Sequence, residues 1–449
     1  MIGVQSKLNL RTGAWYGDHQ LELKTPNSWD VTILWPQTPP PITKDQIAES
    51  LQRSVGQAPI QSLCKGKSRP LIVVDDLNRP TPAEPIMDIL LELFRDAHMP
   101  LTDVTILMAT GSHGKPTTAV FRKKVGRTAA ESCRLLIHDC FKGNAKIGKT
   151  SFDTPVYVDR TFLNSDFVIG IGGIYPNYTA GLGGGTKLAV GVLGIQSIFD
   201  LHFRHKYCGW GQVQTDGSFR RDLNEIANMI GLNTTISVQI NPNREIIRVD
   251  CGDPQKYYLA AADFCRQTFS TLFCKDADVI ISNTYPCDLS LTFAQMKGFE
   301  PFRDCNQNSS RIAIASCDEG IGLHNIFPFL NAPRFHRERH LLRVFRAFGL
   351  GRTTEMLRQG MIYYGHSFAK RISSQIKEDS ASNNTENKNP IWLYRPGKHN
   401  IDLPIDIPGI KPTSQWKNIL QTVKREQKPR KRLKVIVYPC AYLQILNRQ

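Results

Sequence analysis

The sequence predicts an α/β protein of two domains, each with largely parallel sheets flanked by helices, and a cleft between the domains. Two observations support this prediction. Strand-like apolar runs alternate with helix-like segments along the chain, which is the pattern of parallel sheets covered by helices. The chain of 449 residues is also long for a single hydrophobic core.

The apolar runs place the expected elements along the chain. We expect strands at 70–74, 104–108, 167–171, 279–281, 311–315 and 435–438, and helices at 85–94 and 255–265. A domain boundary is expected near residue 270, which divides the chain into domains 1–270 and 271–449. The polar, low-complexity segment 378–389 is predicted to be a disordered surface loop.

The chain carries a formal net charge of +16. Much of this charge lies in the segments 334–371 and 417–434, and in the first of them arginines are interleaved with apolar residues. That pattern is typical of an amphipathic helix with a solvated basic face. Because no nucleic-acid-binding motif is present, the charge favours attraction of anionic substrates. A basic nucleic-acid-binding protein is the alternative that the charge alone supports.

The eleven cysteines are scattered, and no Cys-x-x-Cys pair occurs among them. Their spacing argues against a disulfide framework and against a thiolate zinc site. The N-terminus lacks the pattern of a signal peptide, and polar residues interrupt every long apolar run. From these observations we expect a reduced, cytoplasmic protein with no membrane span.

Polar clusters follow three of the predicted strands in the first half of the chain. Asp75-Asp76 comes after Val74, Gly111-Ser112-His113 comes after Met108, and a glycine-rich loop that ends at Lys187 comes after Ile171. In open parallel sheets, ligands bind beyond the carboxyl ends of the strands. The three clusters are therefore expected to share one site.

The first two clusters each leave two interpretations open. Asp76 and Arg79 could hold a polar ligand from both sides, or they could form an ion pair within a turn. His113 lies in a glycine-flanked loop, which suits general acid–base chemistry, although an isolated histidine is more often an ordinary surface residue.

The glycine-rich loop from Gly172 to Lys187 is suited to crowding backbone N–H groups around an anion. It is not a P-loop, because Thr186 separates Lys187 from the preceding glycine. Downstream, His202 and His205 are three residues apart and would share one face of a helix. Taken alone, two such histidines are more often structural than metal ligands.

Together these segments resemble the nickel-dependent lactate racemase family, the nickel-pincer nucleotide enzymes. Asp76-Leu77-Asn78-Arg79-Pro80 resembles the early Asp-x-x-Arg-Pro turn of the family, and Gly111-Ser112-His113 resembles its Gly-x-His loop. The segment 176–187 resembles its glycine-rich lysine loop, and the following histidine is best matched by His202, with His205 as the fallback. The resemblance covers residues 70–205 and is looser through residue 320.

The resemblance implies a cofactor and a reaction. The cofactor would be nickel pyridinium-3,5-bisthiocarboxylic acid mononucleotide, joined to Lys187 by a thioamide bond, with His202 as the protein ligand to nickel. Residues 1–270 would then form the cofactor-binding and catalytic domain. His113 would act as an acid–base residue during transient hydride transfer. The residues expected to hold the cofactor phosphate and the substrate are Asp76, Arg79, Gly183, Gly184 and Gly185.

One position departs from the family pattern and bears on the substrate. The second acid–base histidine of the family corresponds to Asn177, which cannot take up a proton near pH 7. The sequence therefore favours a racemase or epimerase for a 2-hydroxy acid or a related polyol other than lactate. Tyr175, Tyr178 and His138 are the candidate substitutes for the missing base.

In the second domain the family pattern Gln-x-x-Lys-Gly occurs one residue short, as Gln295-Met296-Lys297-Gly298. The resemblance therefore implies that Lys297 is a catalytic residue. The match is better for Lys297, which keeps its glycine neighbour, than for Gln295. The expected partners are the small-molecule substrate and the cofactor-biosynthesis proteins, with no nucleic acid or membrane. The alternative function is that of a non-catalytic or cofactor-free relative that binds an anionic metabolite. The oligomeric state is not predicted.

Overall fold

The computed structural model describes residues 7–114, 116–326, 389–397, 401–403, 407, 409–427 and 432–448. Two sequence predictions, the basic amphipathic helix within 334–371 and the loop at 378–389, lie outside these residues except for Asn389.

The strands follow one another along the described chain in two groups. Those before residue 200 are β1 (Lys7–Thr12), β2 (His19–Lys24), β3 (Trp29–Ile33), β4 (Pro70–Asp75), β5 (Thr105–Ala109), β6 (Arg134–Ile137), β7 (Asn144–Lys149), β8 (Pro155–Asp159), β9 (Phe167–Gly173), β10 (Pro176–Asn177) and β11 (Gly181–Leu182). Those after it are β12 (Thr234–Ile240), β13 (Ile246–Gly252), β14 (Ser270–Leu272), β15 (Val279–Asn283), β16 (Ser310–Ile314), β17 (Ile391–Tyr394), β18 (Ile410–Thr413), β19 (Leu433–Tyr438) and β20 (Ile445–Asn447).

The described α-helices lie mainly between the strands. They are α1 (Lys44–Gln52), α2 (Ile60–Leu63), α3 (Glu84–Asp96), α4 (Thr118–Val125), α5 (Arg127–Ser132), α6 (Arg160–Leu163), α7 (Ile195–Arg204), α8 (Ser218–Ile230), α9 (Tyr258–Phe269), α10 (Leu291–Gly298) and α11 (Trp416–Glu426). Short 3-10 segments occupy Leu101–Asp103, Gly185–Val192 and Glu300–Phe302.

The first large sheet has the strand order β13-β12-β9-β4-β5-β6 and is parallel except for β13 at its edge. Every residue of β4 is buried. Successive side chains of a strand point to opposite faces, so Ile72 and Val74 pack into one hydrophobic core while Leu71 and Val73 pack into another. Helices cover both faces, and this explains why β4 reads as a continuous apolar run.

The second large sheet has the order β18-β17-β16-β15-β19-β3, and all of its pairings are parallel. Alternate residues of β15 divide between two cores in the same way: Ile280 joins one, while Val279 and Ile281 join the other. The predicted α/β class with largely parallel sheets flanked by helices is confirmed. The cleft between domains stays a prediction.

The N-terminal segment packs with the second sheet although it is distant from it in sequence. Strand β3 pairs with β19, and Leu8 and Leu10 of β1 lie in the core that contains Val279. The domain boundary near residue 270 stays a prediction, and β3 is part of the second sheet while the apolar side chains of β1 pack against it.

No helix in the part of the chain that the structure describes is long and apolar enough to cross a membrane. All eleven cysteines lie among the described residues, and each is a free thiol.

Asp288 ties the turn after β1 to the loop after β15. Its carboxylate accepts hydrogen bonds from the backbone N–H groups of Gly13 (2.7 Å) and Ala14 (3.1 Å) and from the Thr12 hydroxyl (3.1 Å). We expect Asp288→Ala to lower the free energy of unfolding by about 3 kcal/mol, because it leaves buried donors unpaired.

Urea unfolding measures this loss, and Asp288→Asn is the matched control. The asparagine keeps one acceptor oxygen and is expected to lose less stability than alanine. Equal losses of stability in the two variants would contradict the role of Asp288 as a hydrogen-bond acceptor for these donors.

Candidate functional site

The polar clusters that follow β4, β5 and β9 meet in one pocket at the carboxyl ends of these strands, as the parallel pairing requires. Nine of the ten residues predicted as site residues line it: Asp76, Arg79, His113, Asn177, Gly183, Gly184, Lys187, His202 and Lys297. Gly185 is not among the lining residues. It is buried, and a Cβ there would lie 2.9 Å from the carbonyl oxygen of Pro254.

A buried ion pair fixes the turn that carries Asp76 and Arg79. Lys124 Nζ of α4 lies 2.6 Å from Asp75 Oδ1, and the lysine side chain is fully buried. The same amine contacts the carbonyl oxygens of Asp76 (3.3 Å) and Arg79 (3.1 Å). Sequence reasoning missed Lys124, since nothing in the sequence separates it from the exposed basic residues of its helix.

Asp75 also joins this turn to the start of the glycine-rich loop. Its Oδ2 accepts hydrogen bonds from the Thr81 hydroxyl (2.7 Å) and from the backbone N–H of Gly173 (3.0 Å). Burial raises the pKa of Asp75, although Lys124 opposes this shift. These partners assign Asp75 to positioning the site.

Asp76 pairs with His113 rather than with Arg79. Its Oδ2 lies 2.7 Å from His113 Nδ1 and 2.6 Å from the amide nitrogen of Asn78. Burial acts to raise the pKa of Asp76, but the hydrogen bonds from His113 and Asn78 and the charge of Arg79 outweigh it, so the pKa is lowered. Arg79 instead donates from Nη1 to the hydroxyl oxygen of Tyr442 at 3.0 Å.

The contact with Asp76 also settles the tautomer of His113. A carboxylate only accepts hydrogen bonds, so Nδ1 carries the proton and Nε2 keeps its lone pair. Burial lowers the pKa of His113, and the Asp76 carboxylate only partly offsets this. His113 is therefore an uncharged base near neutral pH.

Lys187 lies in the 3-10 segment that follows the glycines. Burial and the nearby cations Arg79 and Lys297 hold the pKa of Lys187 well below its ordinary value. No carboxylate of the described residues lies within ion-pair distance of its amine. A lowered pKa increases the uncharged fraction of the amine at neutral pH, and the uncharged amine is the nucleophilic form.

Arg220 of α8 supports the loop from behind. Its Nη2 donates to the carbonyl oxygen of Leu182 (2.8 Å) and to the hydroxyl of Tyr258 (2.6 Å), and its Nη1 donates to the carbonyl oxygen of Gly184 (3.4 Å). Gly184 has φ +78°, a left-handed conformation that favours glycine. Sequence reasoning missed Arg220 as well.

His202 and His205 differ in their hydrogen bonds. His202 Nδ1 donates to the carbonyl oxygen of Ile198 (2.7 Å), which leaves the lone pair on Nε2. Burial and Lys187 lower the pKa of His202 to about 3. His205 is bonded at both ring nitrogens, to Ser218 (3.0 Å) and to Asp222 (2.7 Å). Between the two histidines, only His202 has a ring nitrogen without a hydrogen-bond partner among the described residues, and metal ligation needs such a nitrogen.

Among the described residues, no group of three or more His, Cys, Asp or Glu side chains is arranged to hold a metal ion. A metal next to His202 would need further donors from another molecule.

Lys297 reaches the same pocket from α10. Burial and the charge of Arg79 lower the pKa of Lys297 to about 7. Met296 also lines the pocket, whereas Gln295 is not among the lining residues. The structure thus brings Lys297 to the site, as the sequence predicted.

Asn177 is used by the loop itself. Its Oδ1 accepts hydrogen bonds from the backbone N–H groups of Thr179 (2.9 Å) and Ala180 (3.0 Å). Of the suggested substitutes for a base, Tyr175 lines the pocket and Tyr178 does not. His138 is bonded at both ring nitrogens, to Asp159 (2.8 Å) and to the carbonyl oxygen of Leu193 (2.9 Å). His138 is therefore a structural histidine.

One pocket histidine was missed by the sequence reasoning. His324 lines the pocket and forms an isolated antiparallel bridge with His113. The ring centroids of the two histidines are 5.2 Å apart, and Phe293 packs against both rings. The sequence around His324 contains no motif, so only the tertiary pairing reveals it.

Fold and site together define an α/β protein whose pocket holds imidazole lone pairs, the basic side chains of Arg79 and Lys297, and a Lys187 amine with no ion-pair partner among the described residues. Residues 16–210 match the family model described as the lactate racemase N-terminal domain. The predicted resemblance to the lactate racemase family is confirmed.

Two curated relatives are lactate racemases. The chain is 25% identical over 289 residues to that of Thermoanaerobacterium thermosaccharolyticum, and 24% identical over 289 residues to that of Lactiplantibacillus plantarum. Each match covers 62% of this chain and 67% of the relative.

Two solved structures share the fold. The lactate racemase apoprotein of T. thermosaccharolyticum superposes with a TM-score of 0.66 at 19% identity, over 98% of this chain and 100% of that chain. A Thermotoga maritima protein superposes with a TM-score of 0.58 at 16% identity, over 91% of this chain and 100% of that chain.

The contacts of Asn177 lead to a stability prediction. Asn177→His removes the acceptor for two backbone N–H groups, and we expect it to lower the free energy of unfolding by about 2 kcal/mol. Asn177→Asp keeps an acceptor oxygen in the same place and is the matched control. Urea unfolding compares the two variants. A histidine variant as stable as wild type would disprove that Asn177 stabilises its loop by accepting these two hydrogen bonds.

The environment of Lys187 leads to a labelling prediction. As pH falls from 9 to 6, ordinary lysines become protonated and stop reacting with acetic anhydride, whereas an amine with a lowered pKa continues to react. Mass spectrometry is expected to find a rising share of the label on Lys187. Labelling of Lys187 that falls in parallel with that of the surface lysines would contradict the lowered pKa.

Proposed function

We propose that this protein is a racemase or epimerase of the lactate racemase type. It would act on a 2-hydroxy acid or a related hydroxy compound with a nickel-pincer nucleotide attached to Lys187. The observation that carries this proposal is that Lys187 and His202 line one pocket, where burial lowers the pKa of both side chains and so favours the uncharged amine and imidazole.

The donor set of the pocket fits such a cofactor. The Lys187 amine is suited to forming an amide-type bond, and the Nε2 lone pair of His202 is suited to ligating nickel. Nickel would take its remaining donors from the cofactor, which agrees with the lack of a protein-only metal cluster among the described residues. Gly183 and Gly184 line the pocket beside Lys187, where backbone N–H groups can approach a phosphate.

When bound, the cofactor would supply a pyridinium carbon that accepts a hydride from the α-carbon of the substrate. The protein side chains would supply the rest. His113 Nε2 would take the hydroxyl proton, with Asp76 holding the ring in the required tautomer. Arg79 and Lys297 would bind the negatively charged end of the substrate, because both cations line the pocket.

The same cations favour an anionic substrate over a neutral polyol. A cofactor-free relative that binds an anionic metabolite in this pocket is the second candidate function, and it rests on this same positive charge. The two candidates differ in whether Lys187 becomes covalently modified.

Intact-protein mass spectrometry and nickel analysis of protein made together with the cofactor-biosynthesis proteins test the proposal. We expect a Lys187 adduct with bound nickel in the wild type and neither in Lys187→Arg. His202→Gln is expected to keep the adduct but lose most of the nickel. Lys297→Met should keep both and weaken substrate binding at least tenfold, since it removes a charge-assisted contact.

A screen of hydroxy acids for stereochemical inversion with the loaded protein then identifies the substrate. Wild-type protein with neither adduct nor nickel would overturn the proposal and leave the metabolite-binding function.

A further inference from the structure

The turn that carries Arg79 has its main chain fixed by side chains from other parts of the fold. Lys124 of α4 donates to the carbonyl oxygens of Asp76 and Arg79. The indole Nε1–H of Trp15 donates to the carbonyl oxygen of Leu77 at 2.9 Å. These contacts hold the backbone of the turn, but they leave the direction of the long Arg79 side chain to be set by other groups.

One contact sets the direction of the Arg79 guanidinium. Its Nη1 donates to the hydroxyl oxygen of Tyr442 at 3.0 Å, and no other group of the described residues accepts a hydrogen bond from this side chain. Asp76, the acid of the same turn, is engaged by His113 instead. A guanidinium is a rigid planar fork with five N–H donors. The edge formed by Nε and Nη2 is therefore available for two parallel hydrogen bonds to a carboxylate.

Tyr442 is itself held in place, in the turn that follows β19. Its side chain is fully buried. The centroid of its ring lies 5.4 Å from that of Tyr175 and 6.5 Å from that of Trp210. The indole of Trp210 donates to the carbonyl oxygen of Gln444, two residues after Tyr442, at 2.9 Å. A hydroxyl fixed in this way can order a flexible cation before the substrate binds, which lowers the cost of binding.

We propose that Tyr442 is a positioning residue that directs the Arg79 guanidinium towards the carboxylate of the substrate. Tyr442 is not among the residues that line the pocket, so it acts through Arg79 and does not touch the substrate. This inference rests on the proposed function, which assigns Arg79 to the charged end of the substrate. It adds a residue near the end of the chain to a site formed mainly by the first half.

Loss of the Tyr442 hydroxyl should separate binding from chemistry. Arg79 stays charged in Tyr442→Phe, because a guanidinium is not deprotonated in proteins. Its side chain gains rotamers, however, and only some of them can meet the carboxylate. The carboxylate is bound in the ground state and in the transition state alike, and weakening such a contact raises KM while kcat stays unchanged.

The loaded enzyme tests this separation with the hydroxy acid that the screen identifies. We expect Tyr442→Phe to raise KM about fivefold and to keep kcat within about twofold of wild type. Tyr438→Phe is the matched control, since Tyr438 is also fully buried and its hydroxyl bonds to the backbone of Cys274 (3.1 Å) and Leu272 (3.3 Å), outside the pocket. Both variants should lose similar stability in urea, but Tyr438→Phe should keep the wild-type KM.

Calorimetry on the full-length protein without cofactor tests the same contact without turnover. The probes are glycolate, the smallest 2-hydroxy acid, and glycolamide, which lacks the negative charge. Wild type should prefer glycolate about tenfold. Tyr442→Phe should weaken glycolate binding about fivefold and leave glycolamide binding unchanged. Adding Tyr442→Phe to Arg79→Met should change nothing further, because Tyr442 acts only through Arg79.

Failure of this inference is distinguishable from failure of the proposed function. A wild-type KM in Tyr442→Phe, an equal rise of KM in Tyr438→Phe, or additive effects of Tyr442→Phe and Arg79→Met on glycolate binding would overturn the inference. A lower kcat with unchanged KM, or no preference of wild type for glycolate, would also overturn it. Absence of a Lys187 adduct in the wild type would instead overturn the proposed function, and the calorimetry does not depend on that adduct.

Discussion

The buried ion pair between Lys124 and Asp75 is the contact on which the site depends. A buried charge is costly unless it is paired and hydrogen-bonded, and here the pairing joins three parts of the fold. Lys124 comes from α4, Asp75 ends β4, and Asp75 also accepts from the N–H of Gly173 at the end of β9. Because Lys124 also contacts the carbonyl oxygens of Asp76 and Arg79, the ion pair fixes the turn from which those two side chains enter the pocket.

Burial has a second consequence for the nitrogen-containing side chains of the pocket. Lys187, Lys297 and His202 all have lowered pKa values, because burial and neighbouring cations disfavour their charged forms. The uncharged forms of Lys187 and His202 are suited to act as a nucleophile and a metal ligand, whereas Lys297, with a pKa of about 7, keeps a charged fraction that can bind an anion. Hydrogen bonds further define the roles of the histidines. In His202 and His113, Nδ1 donates to a backbone carbonyl or a carboxylate, and this places the lone pair on Nε2.

Sequence patterns were sufficient to predict the strands and pocket residues whose position depends on local interactions. The continuous apolar runs of β4, β9 and β15 predicted buried parallel strands, and their carboxyl ends located Asp76, His113 and Lys187 in one pocket. The preference for His202 over His205 came from the family resemblance, and the hydrogen bonds of the two rings agree with it. Gly185 was the exception, because glycines within one loop do not show which of them faces the pocket.

The sequence by itself determined the α/β class, the order of the elements and most of the side chains that the first half of the chain contributes to the pocket. Hydrophobic periodicity and strand-end positions are properties of short segments, so they can be read from the chain. Only the tertiary structure decided that β3 joins the second sheet, that Lys124 and Arg220 support the loops, and that His324 lies beside His113. Those contacts join residues 36 to more than 400 positions apart, and no local pattern encodes a pairing that only packing of the whole chain creates.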